Sequence, residues 1–298
     1  MIAQILVDGI TSGAMIGLGA IGLTLTYGLL RFANFAHGEF ATWGAYLALL
    51  VAGAIGPADP LGPLTFGWPL LAALAASMVL TALLAAALDG VLFRRLRRHG
   101  SAITLVIASF GASLALRSAL EFGFGPQPWY YTRDIAMTVR LGPGMRATWD
   151  QLAVLGLAIV LMLAMHLLMT RTPLGRAMRA VSENPDLARL AGIDPARIVR
   201  VTWLLGGALA ASAGVFLGVT VQLRPSMGFE LLLPLFAAAI LGGIGSVPGA
   251  MLGGLIIGIA EAASVPLAGA QYRAAVAFVV MLAMLLVRPS GLFGGRGG

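Results

Sequence analysis

Three polar residues that could take part in chemistry lie within six positions of one another in an otherwise apolar region. Asn34, His37 and Glu39 belong to the stretch RFANFAHGEF, residues 31–40. The His-Gly-Glu triplet matches half of a zinc deaminase signature, in which the glutamate is the general acid and base. The other half needs two cysteines, and the chain contains none. We therefore expect neither a catalytic residue nor a metal site here.

The composition defines the environment of these residues. The chain has 298 residues, of which 59% are hydrophobic and only 10% charged, with a mean hydropathy of +0.94. A soluble domain carries about 25% charged residues, and a membrane-spanning helix needs roughly 20 apolar ones. The sequence therefore predicts an all-α polytopic membrane protein, with residues 1–298 forming a single transmembrane domain in the lipid bilayer.

Apolar segments of spanning length recur along the whole chain. We expect about nine transmembrane helices, with eight or ten as alternatives, and broken or re-entrant segments near 33–40 and 242–249. Segment 231–244 is short for a full crossing. The predicted spans are 5–30, 36–55, 68–91, 101–122, 151–169, 201–222, 231–244, 249–267 and 274–288.

All 19 basic residues are arginine, and their distribution predicts the topology. If the basic loop 94–100 and the loop 170–200 face the cytoplasm, thirteen arginines lie on that side, Arg296 among them, and five on the other. Cytoplasmic loops carry the excess of basic residues. We therefore expect the N-terminus outside, the C-terminus in the cytoplasm and loop 123–150 outside, with a short hairpin around Arg140. The net charge of +7 then reflects topology and not nucleic-acid binding.

The absence of lysine excludes two functions for this chain. A phosphate-binding loop for ATP needs the lysine of G-x-x-x-x-G-K-[ST], and Schiff-base chemistry needs a lysine amine. If the protein uses ATP, another chain must hold it.

Two rows of glycine at four-residue spacing predict close helix packing. Small residues at this spacing let two membrane helices approach until their backbones touch. Gly254 and Gly258 continue the second row. The glycines of the two rows are Gly9, Gly13 and Gly17 in the first, and Gly245, Gly249 and Gly253 in the second.

Loop 170–200 has the start and stop signals of a short helix over 185–191. Asn184 with Pro185 is a helix start, Gly192 is a stop, and Asp194 followed by proline starts the next helix. Leu187, Leu190 and Ala191 form an apolar stripe between arginines. Two interpretations remain open: an amphipathic helix lying on anionic lipid, or a helix that docks in a groove of a cytosolic partner.

Several segments, in order along most of the chain, resemble the LivH-like permeases of ABC importers for branched-chain amino acids. The sequence GRAMRAVSENPDLARLAGIDPARIVRVTWLLGGALAASAGVFLG (175–218) is similar to their cytoplasmic loop and following span, and A-x-x-A-G-I at 188–193 resembles the motif that contacts the ATPase. The other similar segments are 22–48, 103–116 and 236–262.

The resemblance implies a permease subunit in a bacterial inner membrane and not an enzyme. It further implies a second, LivM-like permease subunit, two cytosolic ATPases that hold ATP and Mg²⁺, and a soluble substrate-binding protein outside. This chain would bind no cofactor of its own. The residues expected to contribute to ATPase coupling are Gly175, Arg176, Glu183, Leu187, Ala188, Leu190, Ala191 and Gly192.

Two compatible interpretations explain the polar segment around His37. Gly38 permits a helix break, whose freed backbone groups Asn34 or Glu39 could cap. Broken helices also line transport pathways, often at corresponding points of two halves, and 241–254 is the expected counterpart. Glu261, an ionisable residue inside a span, is a further pathway candidate. Our hypothesis is that Asn34, His37, Gly38 and Glu39 help to form a gate on the cytoplasmic side of the translocation pathway, with Glu261 as a separate residue of the pathway.

Other functions remain as alternatives. Permeases that resemble this chain also serve urea, amides and other small organic solutes, and nothing in the sequence specifies the side chain of the substrate. A secondary transporter of another class would use Glu39 and Glu261 as ion or proton sites and would need no ATPase.

Overall fold

The structure, a computed structural model, describes residues 2–293, so that Arg296 lies outside the described residues. It is built almost entirely of helices. They are α1 (Ile2–Leu30), α2 (His37–Ile55), α3 (Trp68–Leu88), α4 (Arg94–His99), α5 (Ala102–Phe124), α6 (Trp149–Arg171), α7 (Pro173–Glu183), α8 (Pro185–Leu190), α9 (Pro195–Thr220), α10 (Met227–Gly242), α11 (Val247–Ala268) and α12 (Arg273–Val287).

Eight helical stretches within residues 2–293 are long and apolar enough to cross a membrane. This confirms the predicted all-α polytopic architecture and falls within the expected range of eight to ten spans. The ninth predicted span, 231–244, corresponds to α10, which has only 16 residues. Since a crossing takes roughly 20 residues, α10 is too short to span a bilayer by itself.

Helices α1 and α9 are the most buried of the spanning helices and lie at the centre of the bundle. Glycine residues allow α11 to pack closely against α1. Gly9 and Gly13 face the backbone of α11, where a Cβ atom would lie 2.7 Å from Ile259 Cα and 2.8 Å from Leu255 Cα. A Cβ on Gly258 would in turn meet the backbone of Gly13. The first glycine row, on α1, therefore packs against Gly254 and Gly258 of α11, which continue the second row.

The remaining glycines of the second row have other partners. Gly249 and Gly253 face α10, where a Cβ atom would meet the backbone of Gly242 and of Ala238, respectively. Gly245 lies outside any helix, in the turn between α10 and α11 with φ +87°, where a Cβ atom on Gly28 of α1 would lie 3.2 Å from its Cα. Its amide donates to Thr24 Oγ1 at 2.7 Å.

The fold contains a repeat, in which a long helix is followed by six non-helical residues and a second helix. The non-helical segments are 31–36, between α1 and α2, and 221–226, between α9 and α10. Both end in the same turn: His37 N donates to Asn34 O at 3.3 Å, and Met227 N donates to Arg224 O at 3.1 Å. The structural counterpart of the first break is therefore 221–226, and the counterpart predicted at 241–254 was wrong.

The basic stretch predicted as a loop at 94–100 instead continues a helix. Residues 89–93 form one π-helical turn after α3, and α4 follows without interruption. Arginine and leucine are good helix formers, so this stretch extends the span beyond the predicted end at residue 91. Asp89 pairs with Arg97, with 2.5 Å between Oδ1 and Nη1.

The two ends of the bundle carry different structures. At one end, β1 (Thr138–Gly142) and β2 (Met145–Thr148) form the hairpin predicted around Arg140, and Gln4 near the N-terminus bonds to Arg146. At the other end, Phe293 N donates to Gly242 O at 3.0 Å. The described termini therefore lie at opposite ends of the bundle, and α7 and α8 lie at the end of Phe293.

Candidate functional site

The first break, residues 31–36, returns into the interior of the bundle. His37, the first residue of α2, lies 3.0 Å from the carbonyl oxygen of Gly19, measured from Nε2. Gly19 is eleven residues, or roughly 16 Å of helix, before the end of α1 at Leu30. Because a carbonyl only accepts, Nε2 is the donor. Helix α2 thus begins near the middle of the bundle and not at its surface.

The backbone of the first break is held by serine and asparagine side chains. Phe35 N donates to Ser109 Oγ at 3.1 Å, and Ser109 Oγ also lies 3.3 Å from the carbonyl oxygen of Ala33. Asn34 Oδ1 accepts from Ala36 N at 3.1 Å. Of the two predicted capping residues, Asn34 therefore binds the turn just before α2, and Glu39 makes no cap to the helix.

Glu39 lies in the first turn of α2 and is enclosed by protein. Ser113 Oγ on α5 donates to Glu39 Oε1 at 3.4 Å, whereas Oε2 has no hydrogen-bond partner among the described residues. A carboxylate at this position is favoured by the partial positive charge of the helix N-terminus. Asn34, His37 and Glu39 are each at most 1% exposed, so that in this conformation none of them faces an open pathway.

The second break brings the start of α10 to the start of α2. Gly228 N donates to Thr42 Oγ1 at 3.0 Å. A Cβ atom on Gly38 would collide with the carbonyl oxygen of Gly228, and the reverse also holds. Two helix N-termini therefore touch through their backbones inside the bundle, at a place where only glycine fits.

Loop 123–150 holds the second break in place. Trp129 and Leu223 exchange backbone hydrogen bonds of 2.9 and 2.8 Å. The loop therefore pairs in antiparallel fashion with the second break, residues 221–226. Tyr131 donates its hydroxyl proton to the carbonyl oxygen of Ala45 at 2.8 Å. The loop therefore contacts both broken regions, α2 through Tyr131 and the second break through Trp129.

Glu261 does not belong to this cluster. It lies on α11 two residues after Ile259, which packs against Gly9, whereas His37 binds Gly19. Ten residues of α1 separate these two levels, which is roughly 15 Å. Glu261 is therefore not part of the buried cluster around Glu39, and its place in the pathway stays a prediction. Within residues 2–293, no three histidine, aspartate or glutamate side chains are arranged to hold a metal ion.

The loop predicted to couple to a partner contains α7, α8 and the start of α9. Asn184 Oδ1 accepts from the amides of Asp186 and Leu187 at 3.0 Å, which confirms the predicted helix start. Helix α8 ends at Leu190, where Gly192 has φ +82° and Ile193 N donates to Ala188 O at 3.0 Å. This is the hydrogen-bond pattern of a Schellman motif. Helix α8 is thus fixed at both ends.

The side chains of α8 divide into an outer and an inner face. Leu187 is 64% exposed and Leu190 is 87% exposed, and Ala191 is exposed beside them. Ala188 is buried and packs against the protein, so it cannot belong to an outer contact face. Gly175 is also internal, because a Cβ atom there would meet the backbone of Met169. Arg176 and Glu183 are exposed.

Two discontinuous helices that start near the middle of a membrane bundle are typical of transport proteins. The sequence agrees with this class. The chain matches the family model described as branched-chain amino acid transport system / permease component over residues 5–285, and it belongs to that family. The family is one of transport permease components, which agrees with the expectation that this chain is itself no enzyme.

Individual relatives cover nearly the whole chain. BraD of Pseudomonas aeruginosa, a high-affinity branched-chain amino acid transport system permease protein, is 36% identical over 98% of this chain and 95% of its own. LivH of Escherichia coli K12, with the same description, is 34% identical over 98% and 95%. A probable LivH of Methanocaldococcus jannaschii is 31% identical over 98% and 92%. No solved structure matches the chain.

Several residues of this site were not singled out from the sequence. They hold the breaks from other elements: Thr42, Ser109, Ser113 and Gly228. Trp129 was expected, with Tyr130 and Tyr131, to belong to an interfacial aromatic belt, and its backbone pairs with the second break. One signal could have revealed the repeat, because four glycines recur 190 positions later. These pairs are Gly17 and Gly207, Gly28 and Gly218, Gly38 and Gly228, and Gly53 and Gly243.

Replacing Ser109 by alanine should loosen the first break. The substitution leaves the amide of Phe35 without its acceptor, and a buried donor without a partner costs about 1–3 kcal/mol. We expect faster hydrogen–deuterium exchange over residues 31–36 in the purified protein. Ser77→Ala is the matched control, since the hydroxyl of buried Ser77 bonds, among the described residues, only to the carbonyl of Leu74 in its own helix. Unchanged exchange in Ser109→Ala would contradict the role given to this serine.

Proposed function

We propose that this chain is the permease subunit of an ABC importer for branched-chain amino acids in a bacterial inner membrane. The observation that carries the proposal is α8, a short helix with caps at both ends that exposes Leu187 and Leu190. Exposed leucines on a fixed amphipathic helix suit docking in a groove of another protein. Membership of the permease family and relatives named as branched-chain amino acid permeases support this function.

The complete transporter would contain further chains. We infer two cytosolic ATPases that hold ATP and Mg²⁺, a soluble binding protein outside, and a second permease subunit of the LivM-like kind. The absence of lysine supports ATP binding in other chains, because this one has no phosphate-binding loop. The arginine distribution supports a topology with the N-terminus outside and the C-terminus in the cytoplasm.

The coupling route would run from α8 to the centre of the bundle. Arg31, the first residue of the break after α1, donates from Nη2 to the carbonyl oxygen of Ser182 on α7 at 3.1 Å. Helix α7 is joined to α8 by Asn184 alone. A displacement of α8 by an ATPase would therefore reach the non-helical segment 31–36 through one hydrogen bond and one short connection.

The cluster of Asn34, His37 and Glu39 would act as the joint of a gate. The three side chains are buried, so they are better placed to hold the helix break than to act as the main contact with the ligand. Six non-helical residues can absorb the backbone rotation that a hinge needs. The contact between Gly38 and Gly228 would make the two broken helices move together.

Uptake by reconstituted protein tests the function. Proteoliposomes would hold this chain with the inferred second permease subunit and the two ATPases, with binding protein outside and ATP inside. We expect uptake of radiolabelled leucine that requires both ATP and the binding protein. Uptake of urea or amides instead would assign another substrate. Uptake by this chain alone, driven by an ion gradient, would replace the proposal with secondary transport.

Changes on α8 should uncouple ATP hydrolysis from transport. Leu190→Ser removes an exposed apolar contact, and Gly192→Val places a β-branched side chain at a φ of +82°, where it is strained. We expect transport to fall on the order of tenfold while the complex still assembles and hydrolyses ATP, with Glu183→Arg acting in the same direction. Leu61→Ser, at an exposed leucine in the loop between α2 and α3, is the control. Normal transport by all three variants would remove α8 from the coupling.

Changes in the buried cluster should impair the gate. His37→Ala removes the bond to Gly19, and Glu39→Gln removes the charge beside Ser113. We expect reduced leucine uptake at nearly unchanged complex yield, measured by size-exclusion chromatography and uptake in parallel. Ser212→Ala serves as the buried control, because Ser212 bonds only within its own helix. Full uptake by both cluster variants would end the gate hypothesis.

A further inference from the structure

A cavity of about 910 Å³ lies at the arginine-rich end of the bundle. It is bounded by the ends of α1 and α3, the π-helical turn 89–93, the end of α7, and the first residues of α8 and α9. The proposed coupling route runs along one wall of it, through Arg31 and Ser182, but assigns no ligand to it. Five arginines line it: Arg31, Arg94, Arg97, Arg189 and Arg200.

The charge of the cavity is strongly positive. Its lining contains two carboxylates, Asp89 and Glu183, against the five arginines. Asp89 is paired with Arg97. Arg94 and Arg200 take part in no ion pair within residues 2–293. Two guanidinium groups therefore remain available for an anion from outside the chain.

The backbone is distorted at two places around this cavity. Arg31 has φ +54° and is the one non-glycine residue within residues 2–293 with a positive φ. Such strain persists where the surrounding structure enforces it, and it clusters at functional sites. Asp89 and Gly90 belong to the π-helical turn, a feature that also occurs often at functional sites. Arg31, Asp89 and Gly90, the residues at these two distortions, all line the same cavity.

The rest of the lining indicates the kind of anion. Leu30, Ala86 and Val199 contribute an apolar wall, and Leu83, one turn of α3 before Ala86, is exposed on the surface of the protein. Among the described residues, no aromatic side chain lines the cavity, so they offer no surface on which a nucleotide base could stack. Basic pockets between membrane helices on the cytoplasmic side are suited to phospholipid headgroups.

We propose that this cavity binds the headgroup of an anionic phospholipid from the adjacent leaflet. The phosphate lies between Arg94 and Arg200, and an acyl chain follows the outer surface of α3 past Leu83. Since the cavity is shared by α8 and the end of α1, a bound lipid stabilises the relative position of these two elements. This inference goes beyond the proposed transport function and does not depend on the substrate.

Native mass spectrometry of the purified full chain tests the proposal. The protein would be exposed to equal amounts of phosphatidylglycerol and phosphatidylcholine in mixed micelles, and the retained lipid would be counted. We expect preferential retention of phosphatidylglycerol, reduced on the order of tenfold in Arg94→Gln/Arg200→Gln because each arginine contributes separately to headgroup attraction. The control is Arg171→Gln/Arg197→Gln, which removes the same charge from exposed positions outside the cavity.

Three results would overturn the proposal. Equal retention of both lipids by the wild-type chain would show that there is no selectivity for an anionic headgroup. An equal loss in the two double variants would assign the effect to overall charge. Displacement of phosphatidylglycerol by millimolar inorganic phosphate alone would assign the cavity to a soluble anion instead. Leucine uptake takes no part in this readout, so a failed transport proposal would leave it intact.

Discussion

The structure depends on hydrogen bonds for backbone groups that leave a helix inside a membrane. An unpaired amide or carbonyl in hydrocarbon costs several kcal/mol, yet the chain is interrupted after each of its two most buried helices, at 31–36 and at 221–226. Each interruption is satisfied by a different device. Ser109 of α5 binds the first, and the strand-like pairing of Trp129 with Leu223 binds the second. Peripheral elements thus make the central breaks possible.

Glycine residues bring the helices that follow the two breaks into direct backbone contact. Gly38 and Gly228 bring the starts of α2 and α10 into backbone contact, and Gly214 does the same between α9 and the backbone of Ala41. Close-packed interiors do not deform continuously but shift between discrete arrangements. A contact made of backbone atoms has no flexible side chain to absorb a displacement. We therefore expect movement of one broken helix to move the other.

The arginine-rich end connects these broken helices to the surface. Arg31 joins the first break to α7, and α8 follows after a single residue. The same end contains the cavity of five arginines, so that partner docking and anion binding would act on neighbouring structure. Coupling requires an element that both sites can bias. The segment around Arg31, with its strained φ, is the described element that meets both.

Local patterns in the sequence predicted eight of the nine expected spans, the hairpin at Arg140 and the capped helix after Asn184, because each depends on residues close together in the chain. The tertiary structure alone decided which distant segments meet. Segment 221–226 is 190 residues from its counterpart, Gly245 forms a turn, and Glu261 lies far from Glu39. Apolar periodicity predicts that a helix is buried, but it carries no information about the neighbour against which the helix packs.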